Sequence, residues 1–149
     1  MIIIYLATGY FHKGYEVPML AAAALSEFDK VLIGNGAEGS TLYGVHKPAR
    51  LFIQNKKGCE ETTLTLPEAA PAYAELKKES VSLESLAQWG ESALKGKPGP
   101  AATIIACQAG TLCHLLGLRP TFQKAFDDAK EALQRGTLYD SLMRYLDQS

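Results

Sequence analysis

Two apolar strands joined by a helix are predicted within the first 34 residues, and this arrangement limits the fold more than any other feature of the sequence. Residues 2–7 (IIIYLA) and 30–34 (KVLIG) are short apolar runs rich in β-branched side chains. Strands buried on both faces are typical of parallel pairing. Between them, the Ala- and Leu-rich segment 16–28 predicts a helix, with Pro18 in the first turn, where proline is tolerated. The sequence therefore predicts a right-handed β–α–β crossover.

The next part of the chain predicts an antiparallel hairpin. Residues 51–54 and 62–66 flank a turn near Lys57 and Gly58, so we expect a hairpin at one edge of the sheet. The segment 67–80 contains Pro67 and Pro71 and few large apolar side chains, and it is predicted to be a surface connection.

The remaining residues predict helices. Ser82 is the expected N-cap of a helix whose apolar residues share one face, and the KGKPGP segment (95–100) ends that helix. Residues 101–116 are apolar almost all round, as in a buried helix, and two amphipathic helices follow. We therefore expect one α/β domain, residues 1–149, with a mostly parallel sheet, an antiparallel edge hairpin, helices on both faces and an all-helical C-terminal third.

Charge and cysteine content limit the possible partners and location. The chain has 15 Lys and Arg against 16 Asp and Glu, a formal charge of -1, so no overall basic field attracts nucleic acid or anionic lipid. The three cysteines show no C-x-x-C spacing, and neither a signal peptide nor an apolar run of about 20 residues is present. We expect a cytoplasmic protein that does not contact a membrane.

A glycine pattern after the second strand resembles a dinucleotide-binding loop but does not meet its conditions. Gly34, Gly36 and Gly39 spell G-x-G-x-x-G, which must lead into a helix and be followed about 20 residues later by an acidic residue. Here Gly44 and Pro48 break any such helix. The match is therefore a false positive for that fingerprint. A glycine-rich turn at the carboxyl end of a parallel strand remains a candidate ligand site.

Two loops are predicted to leave the same edge of the sheet, because parallel strands present their carboxyl ends together. They form one candidate cleft for a small phosphorylated ligand. Its candidate ligand-binding residues are His12, Lys13, Gly14, Asn35, Gly36, Glu38, Gly39 and Ser40. Backbone N–H groups of 35–40 could contact a phosphate, and His12 could donate to one or act as a base. The alternatives are a tight turn required only by geometry and a turn histidine bonded to backbone.

A cluster of basic residues is predicted on or near the hairpin. The candidate nucleic-acid contacts are Lys47, Arg50, Lys56 and Lys57. Such a cluster could contact phosphates, with Phe52 or Tyr43 available for base stacking. The alternative is a solvated strand edge whose lysines discourage pairing with other strands.

Three segments together resemble a known family. GYFHKGYE (9–16), VLIGNGAEGS (31–40) and LKGKPGPAATIIACQAGTLCHLLG (94–117) are similar to the C-terminal part of the anthranilate phosphoribosyltransferase family. The resemblance implies a mixed sheet with helices on both faces. It also implies a transferase that uses phosphoribosyl pyrophosphate and magnesium.

The sequence departs from that family at the catalytic positions. The acidic pair that helps hold magnesium in the family falls on Thr41 and Leu42, and the Gly-Thr-Gly-Gly-Asp pyrophosphate loop is absent from this sequence. We therefore expect a C-terminal section of a larger protein, or a shortened relative, with no metal site or catalytic residue of its own and no turnover in isolation. Its expected partners are the rest of a parent protein or a second copy.

The amino-acid sequences of two loops resemble one particular branch of the family. The A-E-G-S form of the second loop and the F-H-K-G-Y-E turn look closest to a divergent branch, some members of which are thought to bind nucleic acid. The alternative function is therefore a nucleic-acid-binding module that uses the cleft loops and the basic hairpin.

Overall fold

A computed structural model describes the backbone of residues 2–6 and the residues 24, 28–34, 44, 45, 47–77 and 82–147. The chain divides into two compact units, Met1–Leu66 and Pro67–Ser149. The expectation of a single domain stays a prediction. No helix in the described part is long and apolar enough to span a bilayer.

The first unit contains a sheet whose described strands lie in sequence order. The strands are β1 (Ile2–Leu6), β2 (Lys30–Gly34), β3 (Ala49–Asn55) and β4 (Gly58–Leu64). β1 and β2 are parallel, whereas β2 with β3 and β3 with β4 are antiparallel. The predicted parallel pair and the predicted hairpin are therefore confirmed. The predicted helix 16–28 lies almost entirely outside the described residues.

The expectation of a mostly parallel sheet is not confirmed, because only one of the three described pairings is parallel. The reason is the direction of β3. The connection 35–48 is long enough for either a crossover or a direct return, so its length does not fix the direction of the next strand. Helices on both faces of the sheet stay a prediction.

β2 is buried because it is an inner strand with apolar side chains on both faces. Val31, Leu32 and Ile33 are each at most 3 % exposed. Val31 and Ile33 pack with Phe52 and Phe28 on one face. An apolar run without alternation is therefore explained by contacts on both sides of the strand.

All regular secondary structure in the described part of the second unit is helical. Its helices are α1 (Ala69–Leu76), α2 (Leu83–Leu94), α3 (Pro100–Leu115), α4 (Phe122–Gln134) and α5 (Leu138–Leu146). The all-helical C-terminal third is confirmed within residues 100–147. Ser82 caps α2 as predicted, since its Oγ accepts a hydrogen bond from the Ser85 N–H at 3.2 Å.

α3 is the central helix of this unit and packs closely against α4. Its buried residues include Ile104, Cys107 and Gly110. A Cβ atom added to Gly110 would lie 2.8 Å from the Phe126 Cα atom, so the glycine allows the two backbones to approach. The buried Thr111 hydroxyl donates to the Cys107 carbonyl oxygen at 2.8 Å.

One sequence interpretation of the helical unit was wrong. The segment 67–80, expected to be a surface connection, contains α1. Pro71 is its third residue, where the N–H has no partner within the helix in any case, and Ala69 and Ala72 supply small buried contacts. Two of the apolar side chains predicted to share one face of α2 are solvent-exposed, Leu83 by 81 % and Leu86 by 51 %.

Candidate functional site

The ends of β1 and β2 define one edge of the sheet, which we call the carboxyl edge. The strands are paired in parallel register up to Leu6 opposite Gly34. The segments that follow the two strands therefore leave from adjacent positions. A shared cleft at this edge is predicted from the same relation between the two strand ends.

The candidate cleft residues themselves lie outside the described residues. They are His12, Lys13, Gly14, Asn35, Gly36, Glu38, Gly39 and Ser40. Thr41 and Leu42, the positions of the family's acidic pair, also lie outside. The cleft assignment therefore stays a prediction, with only the strand ends that precede the two loops described.

The start of β3 also reaches the carboxyl edge. Because β3 is antiparallel to β2, Leu51 lies opposite Gly34, the last residue of β2. The segment before β3 is anchored by Val45, which is fully buried. Gly44 has a φ of +64°, and a Cβ added there would lie 3.3 Å from the Leu64 carbonyl oxygen, so this turn favours glycine.

Arg50 lies near this edge, and its charge is compensated within the hairpin. Its guanidinium binds Glu61 through two hydrogen bonds, with Nη2 at 2.9 Å from Oε2. It also lies over the Phe52 ring, 4.7 Å from the ring centroid. The hydrogen bond from Arg50 holds the pKa of Glu61 below its usual value. Any phosphate contact by Arg50 has to compete with this carboxylate.

Lys56 and Lys57 lie at the end of the strands opposite to Arg50, where Asn55 of β3 pairs with Lys30 of β2. The Lys56 ammonium is 2.9 Å from Asp29 Oδ1, and the hydrogen bond to Lys56 holds the pKa of Asp29 below its usual value. Lys57 is exposed and lies two residues after Asn55. The Asn55 side-chain oxygen accepts a hydrogen bond from the Lys57 backbone N–H at 2.7 Å.

The basic cluster is therefore split between the two ends of β3. Residues 50 and 56 are six positions apart on extended backbone, which separates them by roughly 20 Å. Two of the four cations are paired with carboxylates. Lys47 and Lys57 are exposed and form no ion pair within the described part of the chain.

A cavity in the helical unit was not predicted as a site from the sequence. It has a volume of about 250 Å³ and is lined by residues of α1, α2, the KGKPGP segment and the first turn of α3. From the sequence, that segment is interpreted only as a helix terminator and as part of the family resemblance. The available signal was a lysine next to a Gly-Pro helix start, in a unit that also holds the single tryptophan.

No metal site is found among the described residues. These residues contain no group of three or more His, Cys, Asp or Glu side chains that could share one ion. Positions 35–43, which include the family's acidic pair, are not among them.

Comparison with known proteins gives a structural neighbour. No protein-family model and no curated protein matches the chain. A solved structure of anthranilate phosphoribosyltransferase (TrpD) from Thermus thermophilus matches over 79 % of this chain with 28 % identity and a TM-score of 0.54. The chain spans only 34 % of that protein's length. The fold thus resembles part of a phosphoribosyltransferase.

Proposed function

We propose that this chain is a phosphoribosyltransferase-type domain that binds a small phosphorylated ligand at the carboxyl edge. The observation that carries the proposal is the structural similarity to anthranilate phosphoribosyltransferase over 79 % of the chain. The adjacent carboxyl ends of the parallel strands β1 and β2 support the proposal, because ligands of α/β proteins bind where parallel strands end.

We further propose that the isolated chain does not transfer a phosphoribosyl group. That reaction requires stabilisation of the pyrophosphate leaving group by metal and by fixed positive charge. The family's acidic pair is replaced by Thr41 and Leu42, and leucine provides no oxygen ligand. Of the acids near this loop, Glu38 remains, and it could hold magnesium only together with water or substrate oxygens.

The test is a titration of the chain with phosphoribosyl pyrophosphate, followed by backbone amide NMR. We expect millimolar or weaker binding, with shifts confined to residues 12–14 and 35–40 and little effect of magnesium. Ribose is the control ligand, and it should cause no shifts because it carries no phosphate. Lys13→Ala should weaken the binding, whereas Lys130→Ala on α4 should not.

Two results would contradict the proposal in different ways. Saturating shifts located elsewhere, or no shifts at any concentration, would remove the carboxyl edge as a ligand site. Low-micromolar binding that requires magnesium and is lost in Glu38→Gln would show that the chain keeps a working catalytic site.

The second candidate function is nucleic-acid binding. The exposed Lys47 and Lys57 favour it, since both charges are available to phosphates. The pairing of Arg50 with Glu61 and of Lys56 with Asp29 reduces the positive charge of the same hairpin. On this balance we propose only weak, salt-sensitive binding.

A further inference from the structure

The cavity of the helical unit combines apolar surface with two opposite charges. Leu76, Trp89 and Ala93 contribute apolar surface, together with Pro98 and Pro100. Glu75 from the last turn of α1 and Lys97 from the segment before α3 are the charged residues of its lining. The cavity therefore offers an acceptor, a donor and a flat indole surface to one small molecule.

The two charged side chains are available to a ligand. Neither Glu75 nor Lys97 forms an ion pair with the other or with any further residue in the described part of the chain. Glu91 is paired with Lys95 at 2.5 Å, and the hydrogen bond from Lys95 and, to a smaller extent, the charge of Lys97 lower its pKa. An acid and a base that share a cavity without contacting each other can each bind an opposite charge of an intervening molecule.

The start of α3 adds hydrogen-bond donors on the side of Lys97. No side chain caps this helix, and Pro100 has no N–H group. The Thr103 N–H donates to the Gly99 carbonyl oxygen at 3.1 Å. The N–H groups of Ala101 and Ala102, both in the cavity lining, precede this first helical hydrogen bond.

We propose that this cavity binds a free amino acid with an apolar side chain. The ligand carboxylate interacts with Lys97 and the adjacent N–H groups, the ammonium group interacts with Glu75, and the side chain packs on Trp89. The volume of about 250 Å³ is below the range for drug-sized ligands, so a molecule of about ten non-hydrogen atoms fits. This site is independent of the carboxyl edge and of the proposed phosphorylated ligand.

The test uses Trp89, the single tryptophan of the chain, as a fluorescent reporter, with calorimetry as a second measurement. The full chain is titrated with leucine, N-acetylleucine, which keeps only the negative charge, and leucinamide, which keeps only the positive charge. We expect leucine to bind at least about tenfold more tightly than either analogue, because only leucine uses both charged residues.

Charge variants make the test specific. Lys97→Gln should reduce leucine affinity to the level of leucinamide, and Glu75→Gln should reduce it to the level of N-acetylleucine. Lys130→Ala, which removes an exposed lysine that is not part of the cavity lining, is the control and should leave affinity unchanged. Circular dichroism checks that each variant is folded, and Lys97→Met replaces Lys97→Gln if that variant is not.

Three outcomes would overturn the proposal. The first is the absence of both a fluorescence change and a heat signal with leucine up to its solubility limit. The second is equal affinity for all three compounds. The third is discrimination against only one analogue, which would mean that only one of the two charges contributes to binding.

Discussion

Gly110 is the residue at which one added methyl group should have the clearest effect. A Cβ atom there would lie 2.8 Å from both the N and the Cα atom of Phe126, and backbone atoms cannot move aside as a flexible side chain can. Alanine is better than glycine in a helix by about 1 kcal/mol, but overpacking typically costs about 1–3 kcal/mol. We expect Gly110→Ala to lower the free energy of unfolding, measured by urea denaturation.

Gly90 on α2 provides the matched control for this substitution. A Cβ added there would meet no atom within 4 Å, so only the helix propensity changes. We expect Gly90→Ala to raise the free energy of unfolding by up to about 1 kcal/mol. The same effect from both variants would show that α3 and α4 do not pack at Gly110.

The three thiols should react at very different rates. Cys59 is exposed on β4, Cys113 is half-buried and Cys107 is buried. Burial raises the pKa of Cys107 to about 12, so at pH 8 only about one molecule in ten thousand carries the reactive thiolate there. We expect Cys59 to be labelled first and Cys107 last in the native protein. The measurement is mass spectrometry of peptides after timed thiol alkylation.

The outcome for Cys107 also tests the position of α3. Rapid labelling of Cys107 without denaturant would contradict its burial against the neighbouring helices. Both Cys107 and Cys113 belong to the apolar run 101–116, which on its own predicts slow labelling at both. The half-buried position of Cys113, two residues before the end of α3, revises this expectation to an intermediate rate.

Asp128, in the middle of α4, connects this helix to Arg119 in the turn before it, and this connection should depend on pH. Its carboxylate is 2.7 Å from the Lys124 ammonium and also binds Arg119. Hydrogen bonds from Lys124 and Arg119 lower its pKa from the ordinary value of 3.8. The stabilisation is therefore present above pH 3.8 and is lost as the pH falls through the lower folded-state pKa.

We therefore expect Asp128→Asn to lower stability at pH 7 and to make little difference near pH 2. The measurement is the urea midpoint of both proteins across this range. Asp127→Asn is the control, because Asp127 accepts from the Gln123 side-chain amide at 3.0 Å and forms no ion pair within the described residues. An equal loss at both pH values would assign the effect to packing rather than to charge.

At the scale of elements, local signals predicted most of the secondary structure. The apolar runs of β1 and β2 and their crossover length predicted a parallel pair, and a turn predicted the hairpin. Helix α3 was expected over 101–116 and spans Pro100–Leu115. Helix α1 was missed because its two alanine contacts are too small to produce a hydrophobic pattern. The direction of β3 was missed because a long connection allows both directions.

The basic cluster was less predictable than the helices and strands, because its residues are close in sequence but not in space. Lys47 to Lys57 span eleven positions, but β3 is extended and separates their ends. The pairing of Arg50 with Glu61 depends on the register that places Phe52 opposite Glu61. The sequence alone does not specify that register to the nearest residue.

For the whole molecule, the charge balance and the positions of the hairpin cations favour weak binding to single-stranded DNA. The formal charge of the chain is -1, so no overall field attracts a polyanion. Each neutralised phosphate of a single strand contributes about −0.7 to the slope of log affinity against log salt concentration. With only Lys47 and Lys57 available on the hairpin, its contribution to the slope should be about −1.4 rather than about −2.8 for four cations.

The measurement is fluorescence anisotropy of a labelled oligothymidine at several salt concentrations. Lys47→Ala combined with Lys57→Ala should remove most of the hairpin contribution. Arg50→Ala combined with Lys56→Ala removes the same amount of charge, but from cations already bound to Glu61 and Asp29, and should have the smaller effect. Sub-micromolar affinity at physiological salt would contradict weak binding. A larger loss in the second variant would show that DNA displaces the two carboxylates, and the hairpin would then be an interface that rearranges on binding.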